Sequence, residues 1–481
     1  MTPLIGFVVV YLAVTIAIGL WAARRVHDAK DYLVAGRRLP LYMSVATVFA
    51  TWFGAETVLA VSSTFLTEGL RGIVADPFGF SLCLILVGVF FARAFYRMDL
   101  LTIGDFYHKR YGRAAELVTS LCITLSYLGW TSAQMIALGL VFNTLSGGAI
   151  PMPMGIVLGG GCVLVYTLFG GMWSVAFTDL FQTVIIVAGL LYLVWLLAGM
   201  AGGAATVIAH AAAAGKFEFW PRPEAKEMLA FLAAFLTAAV GGIPQQDVFQ
   251  RVTSARDEKT AVRASLIGGV CYFVAAFLPV FLAYSAFLIA PEMVKPLLAA
   301  EGYRFQEILP TLILERTPLF AQVMFFGALL SAILSTASGA LLAPTALFTE
   351  NVLKRLYPHM GDRQFLLTLR LVLVIFTLAV VTFALTSDAS IYQMVQNTYK
   401  VTLVSCIVPL TAGIFWQRAT AQGALLSIAL GLSSWIGMEI YAPDGLLPPQ
   451  LVGLGFSIAG MIGGSYASGA PRHAAPAGAR P

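Results

Sequence analysis

Thirteen apolar stretches of membrane-spanning length limit what this chain can fold into more than any other feature. A helix needs about 20 apolar residues to cross the hydrocarbon core of a bilayer, and only 11% of the 481 residues are charged. The stretches, bounded by charged residues or by Gly and Pro, run roughly over 2–22, 42–67, 72–96, 114–144, 152–170, 176–200, 228–246, 264–290, 319–348, 365–386, 389–415, 419–441 and 447–469. The sequence therefore predicts an all-α polytopic membrane protein with 13 transmembrane helices.

The basic residues are distributed unevenly over the loops between these stretches. Most of the 29 Lys and Arg residues follow an odd-numbered stretch, as in the runs at 24–38 and 93–113. Because cytoplasmic loops carry an excess of Lys and Arg, this pattern predicts a multi-pass protein of the cell membrane with its N-terminus outside and its C-terminus in the cytoplasm. Beside membrane spans such basic runs are topology signals and contacts for lipid headgroups. We therefore expect the lipid bilayer and no nucleic acid as a partner, and a monomer or a weak oligomer.

Ten of the thirteen stretches divide into two groups of five. Because five is an odd number, the two groups cross the membrane in opposite orientations, which is the arrangement of transporters built from inverted repeats. One stretch precedes this five-plus-five inverted-repeat core and two follow it. The predicted divisions are an extra N-terminal helix over 1–23, a first repeat over 42–200, a second repeat over 228–415, two C-terminal helices over 419–469 and a disordered Ala, Pro and Gly-rich tail over 470–481.

The first helix of each predicted repeat contains a segment that favours a break in the middle of the membrane. These segments are ATWFGAET at 50–57 and VGGIPQQDVFQR at 240–251. A break exposes backbone carbonyl and N–H groups that only a cavity, an ion or another helix can satisfy inside a membrane. Two breaks at corresponding positions therefore indicate one shared binding site.

Polar and ionisable side chains inside the apolar stretches are candidate functional residues, because they are costly to place in a bilayer. In chain order they are Glu56, Asp76, Asp179, Gln182, Gln245, Gln246, a group of hydroxyls around Ser335, Gln396 and Lys400. The five Cys and five His residues are scattered along the chain, so a transition-metal site has little support. The sequence contains no set of nucleophile, base and orienting group that would indicate an enzyme.

The stretch LSAILSTASGALLAPT in the ninth predicted span contains a candidate cation site. Ala332, Ser335 and Thr336 are spaced i, i+3 and i+4, so one carbonyl and two hydroxyls lie on one helix face. The break in the second span adds the carbonyls of Ala50 and Phe53. Five neutral oxygens suit Na⁺, which is a hard cation, as Ca²⁺ and Mg²⁺ are. The alternative is close packing between helices, for which small residues are typical.

Four motifs resemble the sodium/solute symporter family, which includes carriers of proline, sugars, sialic acid, pantothenate and choline. The motifs are ATWFGAE at 50–56, GGMWSVAFTDLFQT at 170–183, GGIPQQDVFQRVTSAR at 241–256 and AILSTASG at 332–339. They occur in the family's order, within a similarity that covers most of residues 5–440. The resemblance implies a five-plus-five inverted repeat preceded by one extra helix. It also implies that the family's sodium site falls on the five residues named above, which favours Na⁺ binding over packing.

Asp179 lies near the cytoplasmic end of the sixth predicted span and is preceded by a glycine pair at Gly170 and Gly171. In the family a matching aspartate is associated with sodium exit or with a second sodium. The resemblance therefore implies a supporting role in cation transport for Asp179. From the residue alone, a helix cap is the alternative.

The substrate pocket is expected between the two broken helices. Trp52, Phe80 and Trp130 resemble the choline branch of the family, whose aromatic box holds a quaternary ammonium by cation–π attraction. The box is incomplete here, because the position after the Pro of GGIP, which is aromatic in choline carriers, is Gln245. An amine is still compatible with the pocket, since Glu56 offers a carboxylate close by. The expected substrate-binding residues are Thr51, Trp52, Glu56, Phe80, Trp130, Gln134, Gln245, Gln396 and Lys400.

Lys400 lies about half-way along its span, where a charge is costly. Three roles stay open for it: a structural ion pair with Glu56 or Asp179, a contact to a carboxylate of the solute, or the replacement of a second coupling cation by its own moving charge. If Lys400 faces the pocket, an anionic or zwitterionic solute is favoured over a pure cation.

We therefore expect a sodium-coupled secondary active symporter that imports a small organic solute by alternating access. The solute classes that fit the sequence are an amino acid, a short carboxylate and an amine. Binding of Na⁺ would tie the second span to the ninth and complete the solute pocket, which is how differential binding couples two fluxes. A proton-coupled carrier of the same fold and a transporter-like membrane sensor are the alternatives.

Overall fold

The computed structural model of the chain describes residues 2–299, 304–387 and 389–468. These residues are almost all helical, with one isolated parallel β-bridge between Leu39 and Ala255. The all-α class predicted from the sequence is therefore confirmed. The tail over 470–481, for which the sequence predicts disorder, lies outside the described residues.

The helices follow one another with short connections. In chain order they are α1 (Thr2–Ala22), α2 (Ala29–Val34), α3 (Leu41–Trp52), α4 (Ser62–Glu68), α5 (Phe80–Leu86), α6 (Ala92–Arg97), α7 (Ile103–Tyr111), α8 (Arg113–Leu145), α9 (Met152–Met200), α10 (Ala204–Ala213), α11 (Ala225–Gly241), α12 (Gln246–Ser254), α13 (Glu258–Ile289), α14 (Pro291–Leu298), α15 (Ile308–Arg316), α16 (Leu319–Phe348), α17 (Lys354–Leu356), α18 (Asp362–Thr386), α19 (Ile391–Ser405), α20 (Ile407–Phe415), α21 (Ala421–Tyr441) and α22 (Pro449–Ala467). Wider, π-helical turns connect several of them, over Glu56–Val61, Val74–Gly79, Val87–Phe91 and Thr349–Leu353.

Eight helical runs among the described residues are long and apolar enough to cross a membrane, or up to ten if each bent pair of helices counts as one span. Two of these runs are too long for a single crossing. The 49 residues of α9 would extend about 70 Å at ~1.5 Å per residue, against a hydrocarbon core of about 30 Å. The lengths confirm a multi-pass membrane protein, and the count of thirteen spans stays a prediction.

Gly171 divides α9 into two helices over 152–170 and 172–200. Its φ of 49° and ψ of −139° are not helical, and a Cβ at this position would clash with the backbone carbonyl of Tyr32. Glycine is therefore required here both for its backbone conformation and for its lack of a side chain. The other long run, over 56–97, turns at Gly69, where φ is 69°.

Both breaks predicted from the sequence are present. Helix α3 ends at Trp52, and Phe53 leaves the helical region with φ −86° and ψ 80° before the chain resumes at the Glu56–Val61 turn. Helices α11 and α12 are bent by 41° across the GIPQ segment between them. A third break, which the sequence reasoning did not identify, bends α19 against α20 by 45° at Cys406.

Helix α16 lies at the centre of the fold, and all of its residues from Phe325 to Leu347 are buried. It packs against α3, α8 and α9. The N-terminal helix α1 covers this centre from one side, where the Tyr11 hydroxyl lies 2.6 Å from the Ser331 hydroxyl. Ser331 therefore has a packing role, and the face of α16 with Ser335 is directed to the first break.

Candidate functional site

Four of the five predicted sodium ligands converge between α3 and α16. The Ser335 hydroxyl donates to the carbonyl of Ala50 at 2.7 Å and also lies 3.1 Å from the carbonyl of Ala332. The Thr336 hydroxyl lies 3.4 Å from the same Ala50 carbonyl. All four residues are fully buried.

The break supplies the carbonyl oxygens of this group. In an unbroken helix the N–H of Gly54 would bond to the carbonyl of Ala50, but here it donates to Trp52 at 3.2 Å. The Ala50 oxygen is therefore released for other partners. Phe53, the fifth predicted ligand, lies within the break itself. The group consists of neutral oxygens, which fit a hard monovalent cation.

Gly54 lies between this oxygen group and a buried carboxylate. A Cβ added to Gly54 would lie 2.8 Å from the Thr336 hydroxyl and 2.5 Å from Oε2 of Glu56. No side chain fits between these two groups. Only the backbone of Gly54 therefore separates the Glu56 carboxylate from the oxygens of Ala50, Ala332, Ser335 and Thr336, which we call the oxygen group.

The Glu56 carboxylate is held by two neutral donors from α8. The indole N–H of Trp130 donates to Oε1 at 3.1 Å, and the amide of Gln134 donates to Oε2 at 2.7 Å. The carbonyl oxygen of the Gln134 side chain accepts the N–H of Ala55 at 3.1 Å. Gln134 thus fixes both the carboxylate and the backbone of the break.

A second buried carboxylate, Asp247, lies on the other broken helix. The indole N–H of Trp52 donates to its Oδ2 at 2.9 Å, and the Tyr127 hydroxyl donates to Oδ1. Sequence reasoning missed Asp247 because it lies in the segment that was read as a break. The signal that could have found it is an acidic residue next to the Gln245–Gln246 pair, at the N-terminus of a helix, where a carboxylate is stabilised.

Aromatic rings fill the space between the two carboxylates, and we call Trp52, Phe80, Tyr127, Trp130 and Tyr399 the aromatic cluster. Ring centroids of Trp52 and Phe80 are 5.3 Å apart, and those of Tyr127 and Trp130 are 5.8 Å apart. Tyr399 lies 5.9 Å from Trp52 and 6.0 Å from Trp130. The rings are buried and in contact, so a solute can enter only after they separate.

A third buried acidic residue, Asp76, lies beside this cluster. Thr57 donates to its Oδ2 at 2.8 Å and Tyr272 donates to its Oδ1 at 2.7 Å, while the two hydroxyls lie 2.9 Å apart. Thr57 directly follows Glu56, so the contact joins the first broken helix to the Val74–Gly79 turn.

Gln245 and Thr51, two predicted substrate-binding residues, are both buried. The Gln245 amide lies 3.4 Å from the hydroxyls of Ser126 and Thr402, and its Oε1 is buried without a hydrogen-bond partner. The Thr51 hydroxyl donates to Thr47 at 2.7 Å and accepts from Arg251. Both predicted residues are therefore near the aromatic cluster.

Gln396 and Lys400 lie outside this group. The Lys400 ammonium is 3.2 Å from the Glu439 carboxylate of α21, so neither Glu56 nor Asp179 is its partner. Both side chains line an outer cleft, and the other polar residues of that cleft are Lys226, Tyr392, Glu439, Asp444 and Gln450. Lys400 and its neighbour Tyr399 point to different sides of α19.

Asp179 is fully buried about two helical turns beyond the break at Gly171. It therefore does not cap the start of its helix. Both of its carboxylate oxygens lack a hydrogen-bond partner. Arg251, which sequence reasoning counted among the loop charges, is only 3% exposed and lies within the fold near Thr51.

Comparisons with known proteins place this geometry in a family. The model of the sodium:solute symporter family matches residues 32–431. A high-affinity choline transporter of Caenorhabditis elegans is 25% identical over 456 residues, which are 90% of this chain and 77% of that protein. The sodium/sialic acid symporter NanT of Aliivibrio fischeri is 26% identical over 452 residues, which are 89% of this chain and 86% of the relative.

Solved structures support the same fold. A Na⁺-coupled sialic acid symporter in an outward-open state aligns with a TM-score of 0.80 and 20% identity, over 96% of this chain and 98% of its own. A nucleobase-cation-symport-1 transporter in a closed conformation aligns with a TM-score of 0.60 and 14% identity, over 91% and 95%. The broken helices, the buried oxygen group between α3 and α16 and a family match that covers most of the sequence lead to one conclusion: the chain belongs to the sodium:solute symporter family of membrane transporters.

Proposed function

We propose that the chain is a Na⁺-coupled symporter for a small organic amine that keeps at least one N–H group. The observation that carries the proposal is the pair of indole–carboxylate contacts, Trp130 with Glu56 and Trp52 with Asp247. The other hydrogen-bond partners of these carboxylates, Gln134 and Tyr127, are also neutral. Two buried carboxylates thus lie next to aromatic rings and have neutral hydrogen-bond partners, while the buried Arg251 lines the same cavity as Asp247, one helical turn later on α12.

Such an arrangement favours a positively charged solute. A buried carboxylate is costly unless a cation neutralises it, and each carboxylate oxygen can accept a further hydrogen bond. An ammonium between the rings would also gain cation–π attraction of about 0.5–2 kcal/mol. The choline transporters among the relatives support an ammonium group as the recognised part of the solute.

Gln245 distinguishes an N–H amine from a fully methylated one. Its Oε1 is buried without a hydrogen-bond partner, and an unmet buried acceptor costs about 1–3 kcal/mol. A primary or secondary ammonium can donate to this oxygen, whereas a quaternary ammonium has no hydrogen to donate. We therefore favour the amine over the short carboxylate, and the position of Lys400 beside Glu439 removes the main reason for an anionic solute.

Sodium is the proposed coupling ion, held by Ala50, Phe53, Ala332, Ser335 and Thr336. The ion would join α3 to α16. Because only Gly54 separates the ion site from Glu56, binding of the ion would fix the position of the Glu56 carboxylate. Alternating access then follows from rocking of one repeat against the other around this site. The proposal also includes the two repeats over 42–200 and 228–415, an N-terminus outside the cell and a C-terminus in the cytoplasm.

Uptake into proteoliposomes that contain only this protein tests the proposal. The panel is a series of one amine with none to three N-methyl groups, a matched carboxylate and an amino acid, each with and without an inward Na⁺ gradient. We expect Na⁺-stimulated uptake that is strongest for the amines with N–H groups. Preference for the carboxylate, or uptake driven by a proton gradient without Na⁺, would contradict it.

A further inference from the structure

Asp247 and Arg251 lie one helical turn apart on α12 and contact consecutive residues at the end of α3. The indole N–H of Trp52 donates to Oδ2 of Asp247 at 2.9 Å, and Nε of Arg251 donates to the Thr51 hydroxyl at 3.0 Å. Both side chains are buried and line the same cavity. A carboxylate and a guanidinium therefore face one cavity, next to Trp52 of the aromatic cluster.

The guanidinium of Arg251 leaves little room in this cavity. The cavity has a volume of ≈ 10 Å³, which is about the smallest volume that holds one water molecule. The guanidinium is also close to α16, where a Cβ at Gly339 would lie 2.5 Å from one of its terminal nitrogens. The space beside Asp247 is therefore already filled by a positively charged side chain.

No hydrogen bond quenches the terminal nitrogens of Arg251 among the described residues. Both nitrogens are buried without a partner, whereas the Asp247 oxygens accept from Trp52 and Tyr127. Arg251 acts electrostatically on Asp247 and also on Asp179, but Asp179 does not line this cavity. A further cation brought to Asp247 would therefore meet the guanidinium, and like charges placed together repel strongly.

Glu56, at the other end of the aromatic cluster, has different surroundings. Its hydrogen-bond partners are the neutral side chains of Trp130 and Gln134, and the cavity that Arg251 lines does not include it. By position alone, a carboxylate at each end of the cluster would suit a solute with two ammonium groups. Since Arg251 fills the end at Asp247, Glu56 marks the end that stays open to an ammonium.

We propose that Arg251 is a specificity-determining residue that limits the solute to one ammonium group. The inference rests on the amine transport proposed above and narrows the class of amines: monoamines are accepted, and diamines are rejected by repulsion at Asp247. Specificity of this kind depends on an unfavourable contact with the wrong solute. Arg251 does not contact the ammonium at Glu56, so its replacement should widen the range of solutes.

Uptake into proteoliposomes tests this assignment with matched solutes. A diamine is compared with two compounds that carry one positive charge, its mono-N-acetyl derivative and the monoamine of the same chain length, and the comparison is repeated over several chain lengths. We expect the wild type to have an apparent affinity for the better single-charge compound that is at least about tenfold higher than for the diamine, because of the like-charge repulsion.

Variants of Arg251 assign this preference to its charge. Arg251→Gln should improve the affinity for the diamine at least about tenfold relative to the single-charge compounds, because the second ammonium can then pair with Asp247. Arg251→Lys should keep the wild-type ratio, since the charge remains. The double variant Arg251→Gln, Asp247→Asn should not gain the diamine. Asp179→Asn should keep the wild-type ratio, whatever its rate of uptake.

The proposal would be overturned by a wild type that takes up the diamine as well as the single-charge compounds. It would also be overturned by a monodisperse Arg251→Gln protein that keeps the wild-type ratio, or by a shift in Asp179→Asn as large as that in Arg251→Gln. If Arg251→Gln does not fold, Arg251→Met takes its place, and the wild-type comparison still decides. A wild type without Na⁺-stimulated uptake of any amine would contradict the proposed function itself, which is a distinct outcome.

Discussion

Ser335 and Thr336 contribute hydroxyls to the oxygen group at the first break, and the remaining oxygens come from the backbone. The spacing of these side chains on α16 could be read from the sequence because a helix has a fixed period. The carbonyl of Ala50 could be included because a break releases backbone groups. Local geometry of this kind is predictable, since it depends on neighbours along the chain.

We expect the double substitution Ser335→Ala, Thr336→Ala to raise the Na⁺ concentration for half-maximal uptake by about tenfold or more, since each lost polar contact contributes about 0.5–1.5 kcal/mol. The matched control on the same helix is Ser331→Ala, Thr345→Ala. These two hydroxyls bond to Gly327 and to the carbonyls of Leu341 and Leu342. Unchanged Na⁺ activation in the Ser335→Ala, Thr336→Ala variant would show that these hydroxyls of α16 do not bind the ion.

Glu56→Gln removes one of the two negative charges from the aromatic cluster while keeping the shape of the side chain. We expect the apparent affinity for an amine solute to fall about 10- to 100-fold, because hydrogen bonds to charged groups are worth about 1.5–3 kcal/mol. The control is Glu68→Gln, at an exposed position at the end of α4. Wild-type affinity in Glu56→Gln would contradict a cationic solute, whatever the control shows.

The residues that sequence reasoning missed owe their roles to contacts between distant helices. Tyr127 and Tyr399 belong to the aromatic cluster because α8 and α19 meet beside Trp130. Neither tyrosine differs, in its own stretch, from a packing residue. Asp247 and Arg251 were discounted because charges next to a break resemble loop charges when only the order of residues is known.

Among the elements, two breaks were predicted from the sequence and the third was missed. Gly and Pro mark the breaks at 53–55 and 242–245, since these residues favour non-helical backbone in a membrane. The bend at Cys406 also had a signal in Pro409, which has no N–H for the carbonyl of Ser405 and whose ring clashes with that carbonyl. The side of α19 on which Lys400 lies could not be predicted in this way, because it is set by the contact with α21.

Lys400→Met should leave the apparent solute affinity within about threefold of the wild type, because the ammonium contacts Glu439 and not the aromatic cluster. The ion pair is partly exposed, so we expect its loss to cost less than about 1 kcal/mol of stability. Uptake assays over a range of solute concentrations and thermal unfolding measure the two effects. A loss of solute affinity in Lys400→Met as large as that in Glu56→Gln would show that Lys400 takes part in substrate binding.

Asp257 begins α13 by accepting the N–H of Thr260 at 2.7 Å. This hydrogen bond lowers the pKa of the Asp257 carboxyl, so its stabilising contribution is present above the ordinary pKa of about 3.9 and is lost as the pH falls through the lower pKa of the folded state. We expect Asp257→Ala to destabilise the protein by about 1 kcal/mol at neutral pH.

Thermal unfolding of the wild type, Asp257→Ala and the exposed neighbour control Lys259→Ala measures this contribution at a series of pH values. The difference between wild type and Asp257→Ala should be constant from pH 6 to 8 and should shrink below about pH 4. A difference that grows on acidification would show that the carboxylate does not act as a cap.

At the scale of the whole molecule, buried acidic residues outnumber buried basic ones in the part of the chain that the structure describes. The acidic residues are Asp31, Glu56, Asp76, Asp105, Glu116, Asp179, Asp247 and Glu350, and the basic residues are Arg110 and Arg251. The pattern of apolar stretches predicted a membrane protein, because each span needs about 20 apolar residues of its own to cross the bilayer. The charge balance of the interior could not be predicted, since it depends on which of these residues face one another.

The proposed cycle moves one Na⁺ and one ammonium together, so transport should carry two positive charges per solute. An inside-negative potential, set with a K⁺ gradient and valinomycin, should therefore accelerate uptake into proteoliposomes. Each charge that crosses 100 mV gains about 2.3 kcal/mol. Simultaneous measurement of current and labelled solute gives the ratio. A ratio near zero would contradict joint movement of the two cations.

The single residue of backbone at Gly54 between the oxygen group and Glu56 also has a pharmacological consequence. An amine-based inhibitor that remains on the Tyr399 side of Glu56 benefits from bound sodium, and its potency should rise with the sodium concentration. An inhibitor extended past Glu56 would meet Thr336 and compete with the ion, so its potency should fall as sodium rises. The sign of the sodium effect therefore reports how deep a blocking compound reaches.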